Sequence, residues 1–191
     1  MRFQPSLLTD RLAAIRLLAM DVDGVLTDGS LLYDTHGAEL KRFHVSDGLG
    51  IVLLRQAAIS VAWLSARTNP IIEHRATELK VPYVLQGTRN KGLALRELGD
   101  KLKIEMSAIA YIGDDWNDLP AFEAAGIRIA VSNAAPELLA AADIVTERPG
   151  GSGAVREVCE RLLDARGQRA ASLKAYLETL TEPPSGGAPI Q

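Results

Sequence analysis

Residues Ile15-Arg-Leu-Leu-Ala-Met-Asp21-Val-Asp23-Gly24 decide the fold. A near-continuous apolar run stops on two carboxylates and a glycine. A run this short, bounded by turn chemistry, reads as a strand over Ile15–Met20. Apolar residues fill odd and even positions alike. Both faces of the strand are therefore expected to be covered, as in a parallel sheet packed between helices.

The same rhythm continues along the chain. Ser30–Tyr33 and Glu39–Val45 flank Asp34-Thr35-His36-Gly37 and read as a hairpin. Leu49–Ala58 reads as a helix and Ile59–Leu64 as the next strand. Asn69-Pro70 offers an N-cap and a proline at the first helical position for a helix over Ile71–Leu79. Tyr83–Leu85 is a short strand, and Asn90 caps a helix over Lys91–Lys101. Ala108–Ile112 is a strand, Leu119–Ala125 a helix stopped by Gly126. A strand over Ile127–Val131, a helix over Pro136–Ala142, a short strand at Ile144–Val145 and a helix over Val155–Ala165 complete the series. Strands alternating with helices at this spacing predict a three-layer α/β/α, Rossmann-like fold with a mainly parallel sheet and a protruding β-hairpin. One domain is expected over residues 1–167. A tail over 168–191 follows, helical around Ala170–Leu180 and then turn-rich and mobile from Pro183 to Gln191.

Composition agrees with a globular enzyme-sized domain. The 191 residues are 47% hydrophobic and 24% charged, with 21 basic against 24 acidic side chains. That balance offers no general attraction to nucleic acid or to membranes, and no apolar run is long enough for a membrane span. The first 18 residues lack the uncharged core and cleavage site of a secretory signal. The single cysteine, Cys159, forms no internal disulfide and suits a cytoplasmic setting; its apolar helical neighbours predict a buried thiol.

In open α/β sheets ligands bind beyond the carboxyl ends of the strands. The residues at those ends are Asp21 and Asp23, then Ser65-Ala66-Arg67, then Asn90-Lys91, then Gly113-Asp114-Asp115 with Asp118. Asp21 and Asp23, two apart on extended backbone, share a face. Two carboxylates so placed need a proton or a cation between them, and hard oxygen ligands beside a phosphate suit Mg²⁺. Taken alone, Asp-x-Asp-Gly reads first as a solvated strand-to-turn junction. Asp118 taken alone reads as an N-cap before Leu119-Pro120. Lys91 opens a helix, where a cation opposes the dipole, so a phosphate target would explain it. Ser65 could donate a hydrogen bond to that phosphate, and Arg67 could bind an anion through its planar fork. Together these residues describe a phosphoryl-transfer site.

The set resembles the haloacid dehalogenase-like (HAD) phosphatases. Asp21-Val-Asp-Gly-Val-Leu-Thr-Asp is similar to their first motif; Ser65, Lys91 and Gly113-Asp-Asp-Trp-Asn-Asp118 match the second, third and fourth. Phe43-His-Val-Ser-Asp-Gly-Leu-Gly-Ile51, Gln86-Gly-Thr-Arg-Asn-Lys91 and Gly150-Gly-Ser-Gly-Ala-Val-Arg-Glu-Val-Cys159 narrow the resemblance to the 3-deoxy-D-manno-octulosonate 8-phosphate (KDO-8-P) phosphatases, over roughly Leu17 to Gly167. The resemblance implies that Asp21 is the nucleophile and Asp23 the acid/base. It implies Mg²⁺ held by Asp21, the Asp23 carbonyl and Asp114, with Asp115 and Asp118 around that shell. Ser65 and Lys91 would bind the phosphoryl group, and His44, Val45, Ser46, Asp47, Gly48, Arg67 and Arg75 the sugar. Four positions depart from the family: Ala66 stands where glycine is usual, Val52 where arginine is frequent, and His44 and Ser46 differ from one common pattern.

The implied substrate is a sugar phosphate, KDO-8-P or another keto-acid sugar phosphate such as a nonulosonate 9-phosphate. A receiver-like phospho-acceptor domain and a non-catalytic scaffold are the other functional classes. Only 26 positions separate Ser65 from Lys91, and 23 separate Lys91 from Asp114. Neither interval holds a cap domain, so water exclusion must come from elsewhere. Hairpin residues Ser30–Phe43 are therefore expected to form a subunit interface, in the homotetramer that the resemblance implies.

Overall fold

The structure, a computed structural model, describes residues 5–181. β1 (Leu17–Met20) lies inside a six-stranded, wholly parallel sheet. It pairs on one side with β4 (Ser60–Leu64) and on the other with β6 (Ile109–Gly113). β5 (Tyr83–Leu85) lies outside β4; β7 (Ile127–Ala130) and β8 (Ile144–Val145) extend the sheet beyond β6. All four β1 residues are buried, as covering on both faces requires. The chain fills one half of the sheet through α2 (Val45–Gln56) and α3 (Pro70–Leu79). It crosses back through α4 (Lys91–Leu102), then builds the other half through α5 (Leu119–Ala124) and α6 (Pro136–Ala141). The order reverses between β1 and β6, which makes that boundary the expected ligand crevice.

The helices pack in two groups. α7 (Ala154–Ala165) lies against α2 and against α1 (Pro5–Ala13), with α8 (Arg169–Thr181) beside α2 and α7; α4 packs on α5. Among the described residues no helix is long and apolar enough to cross a membrane. Cys159 is fully buried in α7, and burial pushes its thiol well up.

Several boundaries differ from the sequence reading for physical reasons. α1 was not expected, since the sequence there carries only a short stretch around Leu8 and Leu12 to seat it on the core. In the hairpin only β2 (Leu32–Tyr33) and β3 (Glu39–Leu40) pair, apart from the main sheet. Asp34 closes the turn between them, accepting from the His36 and Ala38 amides at 2.8 Å. The expected strand to Val45 stops short, and α2 begins four residues before Leu49. Its first turn, Val-Ser-Asp-Gly, is poor helix sequence. Tertiary bonds override that: Asp47 accepts from the amides of Gly153 at 3.3 Å and Arg156 at 2.7 Å, at the start of α7. The expected tail helix over Ala170–Leu180 is α8, whereas Pro183–Gln191 lies outside the described residues.

Candidate active site

Met20, the last residue of β1, stands opposite Trp63 and Ile112 in the register of its two neighbours. The loops after β1, β4 and β6 therefore open side by side, and each carries a predicted functional residue. Asp21 is 4% exposed. One of its oxygens, Oδ1, accepts from the Val22 amide at 2.7 Å; the other lies 2.8 Å from Lys91 Nζ. Lys91 is fully buried and also meets Asp118 Oδ1 at 2.7 Å. Asn90 caps its helix, accepting from the Leu93 amide at 3.0 Å.

Asp118 is the hub of this cluster. Oδ1 accepts from Lys91 and from the Tyr111 hydroxyl, both at 2.7 Å; Oδ2 accepts from the amides of Asp114 at 2.9 Å and Asp115 at 3.3 Å. Asp118 stands at the N-cap position of α5, before Leu119-Pro120, but its side chain makes no cap bond to that helix. Instead Asp118 and Asp115 close a capping box around the short turn Trp116–Asp118. Asp21, Asp114 and Asp118 bring oxygens within 4.8 Å of one another, a group that could hold a metal ion. A carboxylate offers about four lone-pair sites, and those of Asp118 are filled. Asp114 differs, since its Oδ1 is buried without a partner. Asp21 and Asp114 thus fit a hard divalent cation, with Asp118 fixing the backbone and the lysine around them.

Gly24 makes room for this pair. Its φ is +95°, and a Cβ there would fall inside the Asp114 carboxylate. The electrostatics show a shortage of positive charge. Burial, then Asp118, push Asp21 up to about 7 despite Lys91. Burial, Asp21 and Asp118 push Asp114 up to about 8. Burial works against the charge on Lys91, but Asp21 and Asp118 outweigh it and raise its pKa.

Asp21, Asp23, Ser65, Arg67, Asp114 and Asn117 line one crevice of about 200 Å³, with Ala66 and Asp115 at its wall. Ser65 is 2% exposed, and its Oγ accepts from the Arg67 amide at 3.1 Å, leaving the hydroxyl hydrogen to donate. Asp23 has a neighbour that the sequence did not flag: Lys41, just past β3, contacts Asp23 Oδ1 and lies 2.9 Å from Glu39 Oε1. Glu39 Oε2 meets Arg67 at 2.6 Å. A usable signal existed: Glu39 and Lys41, two apart at a strand, share a face.

His44, Val45, Ser46, Asp47, Gly48 and Arg75 do not line this crevice. Val45 is 81% exposed. Ser46 borders a separate cavity of about 520 Å³ with Arg148 and Arg156. Asp47 is 1% exposed and anchors the start of α7. Arg75 lies over the Phe43 ring, 5.9 Å from its centroid, and close enough to Gly48 that a Cβ there would crowd it.

A buried lysine and an acid-rich crevice stand at the switch point of a parallel sheet, and the sequence profile of the haloacid dehalogenase-like hydrolases matches residues 58–157, which gives the class of the protein. The chain is 45% identical over 154 residues to the 3-deoxy-D-manno-octulosonate 8-phosphate phosphatase KdsC of Escherichia coli K12, covering 81% of this chain and 82% of that protein. KdsC of Haemophilus influenzae is 43% identical over 158 residues, 83% and 88% of the two chains. The crystal structure of the Moraxella catarrhalis KDO-8-P phosphatase, in complex with magnesium, phosphate and KDO, superposes with a TM-score of 0.87 at 41% identity, covering 91% of this chain and 99% of that one. The chain belongs to the KDO-8-P phosphatase family of haloacid dehalogenase-like hydrolases. Membership leaves no place for the receiver-like reading.

Proposed function

We propose that this chain hydrolyses KDO-8-P to KDO and phosphate with Mg²⁺ as its cofactor. The observation that carries the reading is the Asp21–Lys91–Asp118 cluster beside an unpartnered Asp114 oxygen. The relatives above, one with magnesium, phosphate and KDO bound, support it. In this reading Asp21 attacks phosphorus, forming an aspartyl-phosphate as the bond to the sugar oxygen breaks. Asp23 gives that oxygen a proton, then takes one from the water that cleaves the aspartyl-phosphate. Lys91 has two of its three N–H groups engaged, so the third serves a phosphoryl oxygen, together with the Ser65 hydroxyl. Mg²⁺, held by Asp21, Asp114 and the Asp23 carbonyl, offsets the carboxylates and aligns phosphoryl oxygens when bound. The test is phosphate release from KDO-8-P and from a nonulosonate 9-phosphate, with and without Mg²⁺, for the wild type and Asp21→Asn. Preference for the second ester would change the substrate, activity in Asp21→Asn would remove the nucleophile, and no turnover of any phosphate ester would favour a scaffold.

The same reading makes the protein a cytoplasmic homotetramer. Leu31, Leu32, Tyr33 and Leu40 on the hairpin are each about half exposed, an apolar patch suited to another copy. His44 to Gly48 and Arg75 lie outside the crevice of their own chain, and Asp47 and Gly48 are buried, so a role in holding the sugar across such a boundary is left to His44, Val45, Ser46 and Arg75. A fully active monomer by light scattering would refute the assembly, and a periplasmic pool on cell fractionation the compartment.

A further inference from the structure

The hairpin reaches back onto the catalytic loop. The Lys41 side chain is only 2% exposed, although it belongs to an element whose tip is open to solvent. It contacts Asp23 Oδ1 and lies 2.9 Å from Glu39, which in turn holds Arg67 at 2.6 Å. The result is a chain of alternating charge, Asp23–Lys41–Glu39–Arg67, running from the β1 loop through the hairpin to the β4 loop. Asp23 Oδ2 is buried and has no partner. One carboxylate oxygen is therefore fixed and the other is left for reacting groups. An exposed ion pair of this kind would contribute little. Here the lysine is enclosed between two acids and lies beside the crevice.

We propose that Lys41 is a positioning residue for the reaction: it grips Asp23 by Oδ1 so that Oδ2 is presented to the leaving-group oxygen, and Glu39 and Arg67 fix Lys41 in turn. This rests on the reading of Asp23 as the acid/base. It makes the hairpin part of the catalytic apparatus of its own chain, in addition to any part in assembly.

The test compares kcat/KM for phenyl phosphate, whose leaving group needs a proton, with kcat/KM for p-nitrophenyl phosphate, whose leaving group does not. Both esters avoid the question of which sugar is bound, and kcat/KM reports the steps through leaving-group departure. A positioned general acid is worth about 10²–10⁴-fold. Lys41→Met should lose about 30-fold or more on phenyl phosphate and less than about 5-fold on p-nitrophenyl phosphate. Lys41→Arg should recover much of that loss, and Glu39→Gln should reproduce the pattern more weakly. Adding Lys41→Met to Asp23→Asn should cost nothing further. Equal losses on both esters, or no loss, in a folded Lys41→Met protein would overturn the positioning role. Full phenyl phosphate activity in Asp23→Asn would overturn the acid/base reading itself. If Lys41→Met does not fold, Glu39→Gln and Lys41→Arg decide by the same ratio.

Discussion

Asp21 and Asp23 stand two residues apart in opposite electrostatic settings. Asp21 shares one cation, Lys91, with Asp118 and faces Asp114, three carboxylates to one ammonium. Asp23 shares Lys41 with Glu39, and Arg67 completes that group, two carboxylates to two cations. The first set is short of positive charge, which suits a divalent cation. The second is balanced by the chain itself. On the proposed reading, the difference separates two tasks: holding a metal and phosphate, and moving a proton.

The largest effect that would break this contrast is expected from Gly24→Ala. A methyl group there displaces the Asp114 carboxylate and strains a backbone at φ +95°. A shift of about 1 Å at a reacting group costs about 10²-fold. Turnover should fall by at least that much, with weakened Mg²⁺ affinity by calorimetry; unchanged affinity would show that Asp114 does not need its present place.

The charge shortage also predicts a pH dependence of folding. Unfolded, Asp21 and Asp114 titrate near 3.8; folded and metal-free, they titrate near 7 and 8. Between those limits the folded chain holds more protons than the unfolded one, so stability falls as pH rises. Whatever these groups allow is fully present below about pH 4 and lost towards pH 8. Asp28, Glu39 and Asp143 are lowered, so what they contribute has the opposite sign and is lost as pH falls. Thermal melts of metal-free protein should show Tm dropping from pH 5 to pH 8. Mg²⁺ should raise Tm more at pH 8 than at pH 5, by at least about 3 °C, the equivalent of about 1 kcal/mol at this chain length. Asp114→Asn should shrink that difference, and an equal Mg²⁺ increment at both values would contradict the scheme.

The smallest effect sharpens the contrast. Tyr111→Phe removes one of four donors to Asp118 without touching the crevice. It should cost about 1–2 kcal/mol of stability in urea unfolding and less than tenfold in kcat/KM. A larger kinetic loss would make the tyrosine more than a support.

Much of this organisation was legible in the sequence because it is local. Apolar runs ending in Asp21, Ser65 and Asp114 mark strand ends, and Asn69-Pro70 and Asn90 cap as their side chains dictate. The less legible parts depend on partners distant in the chain. Asp118 looked like a cap because its contacts with Lys91 and Tyr111 exist only once β6 and α4 meet. The first turn of α2 was unreadable because Asp47 is held from α7, 106 residues away at Gly153. Lys41 escaped notice because the fold of the hairpin, and no local propensity, delivers it to Asp23.

The sheet order has a mechanical consequence. Asp21, Asp114 and Asp118 hang from β1 and β6, which have strands on both sides; Lys91, itself fully buried, follows β5, a half-buried strand at the margin of the sheet. Margins open first when a domain breathes. Were β5 and the start of α4 to loosen, three carboxylates would face one another without their ammonium, so the seating of Lys91 between Asp21 and Asp118 is what lets these anions share one crevice.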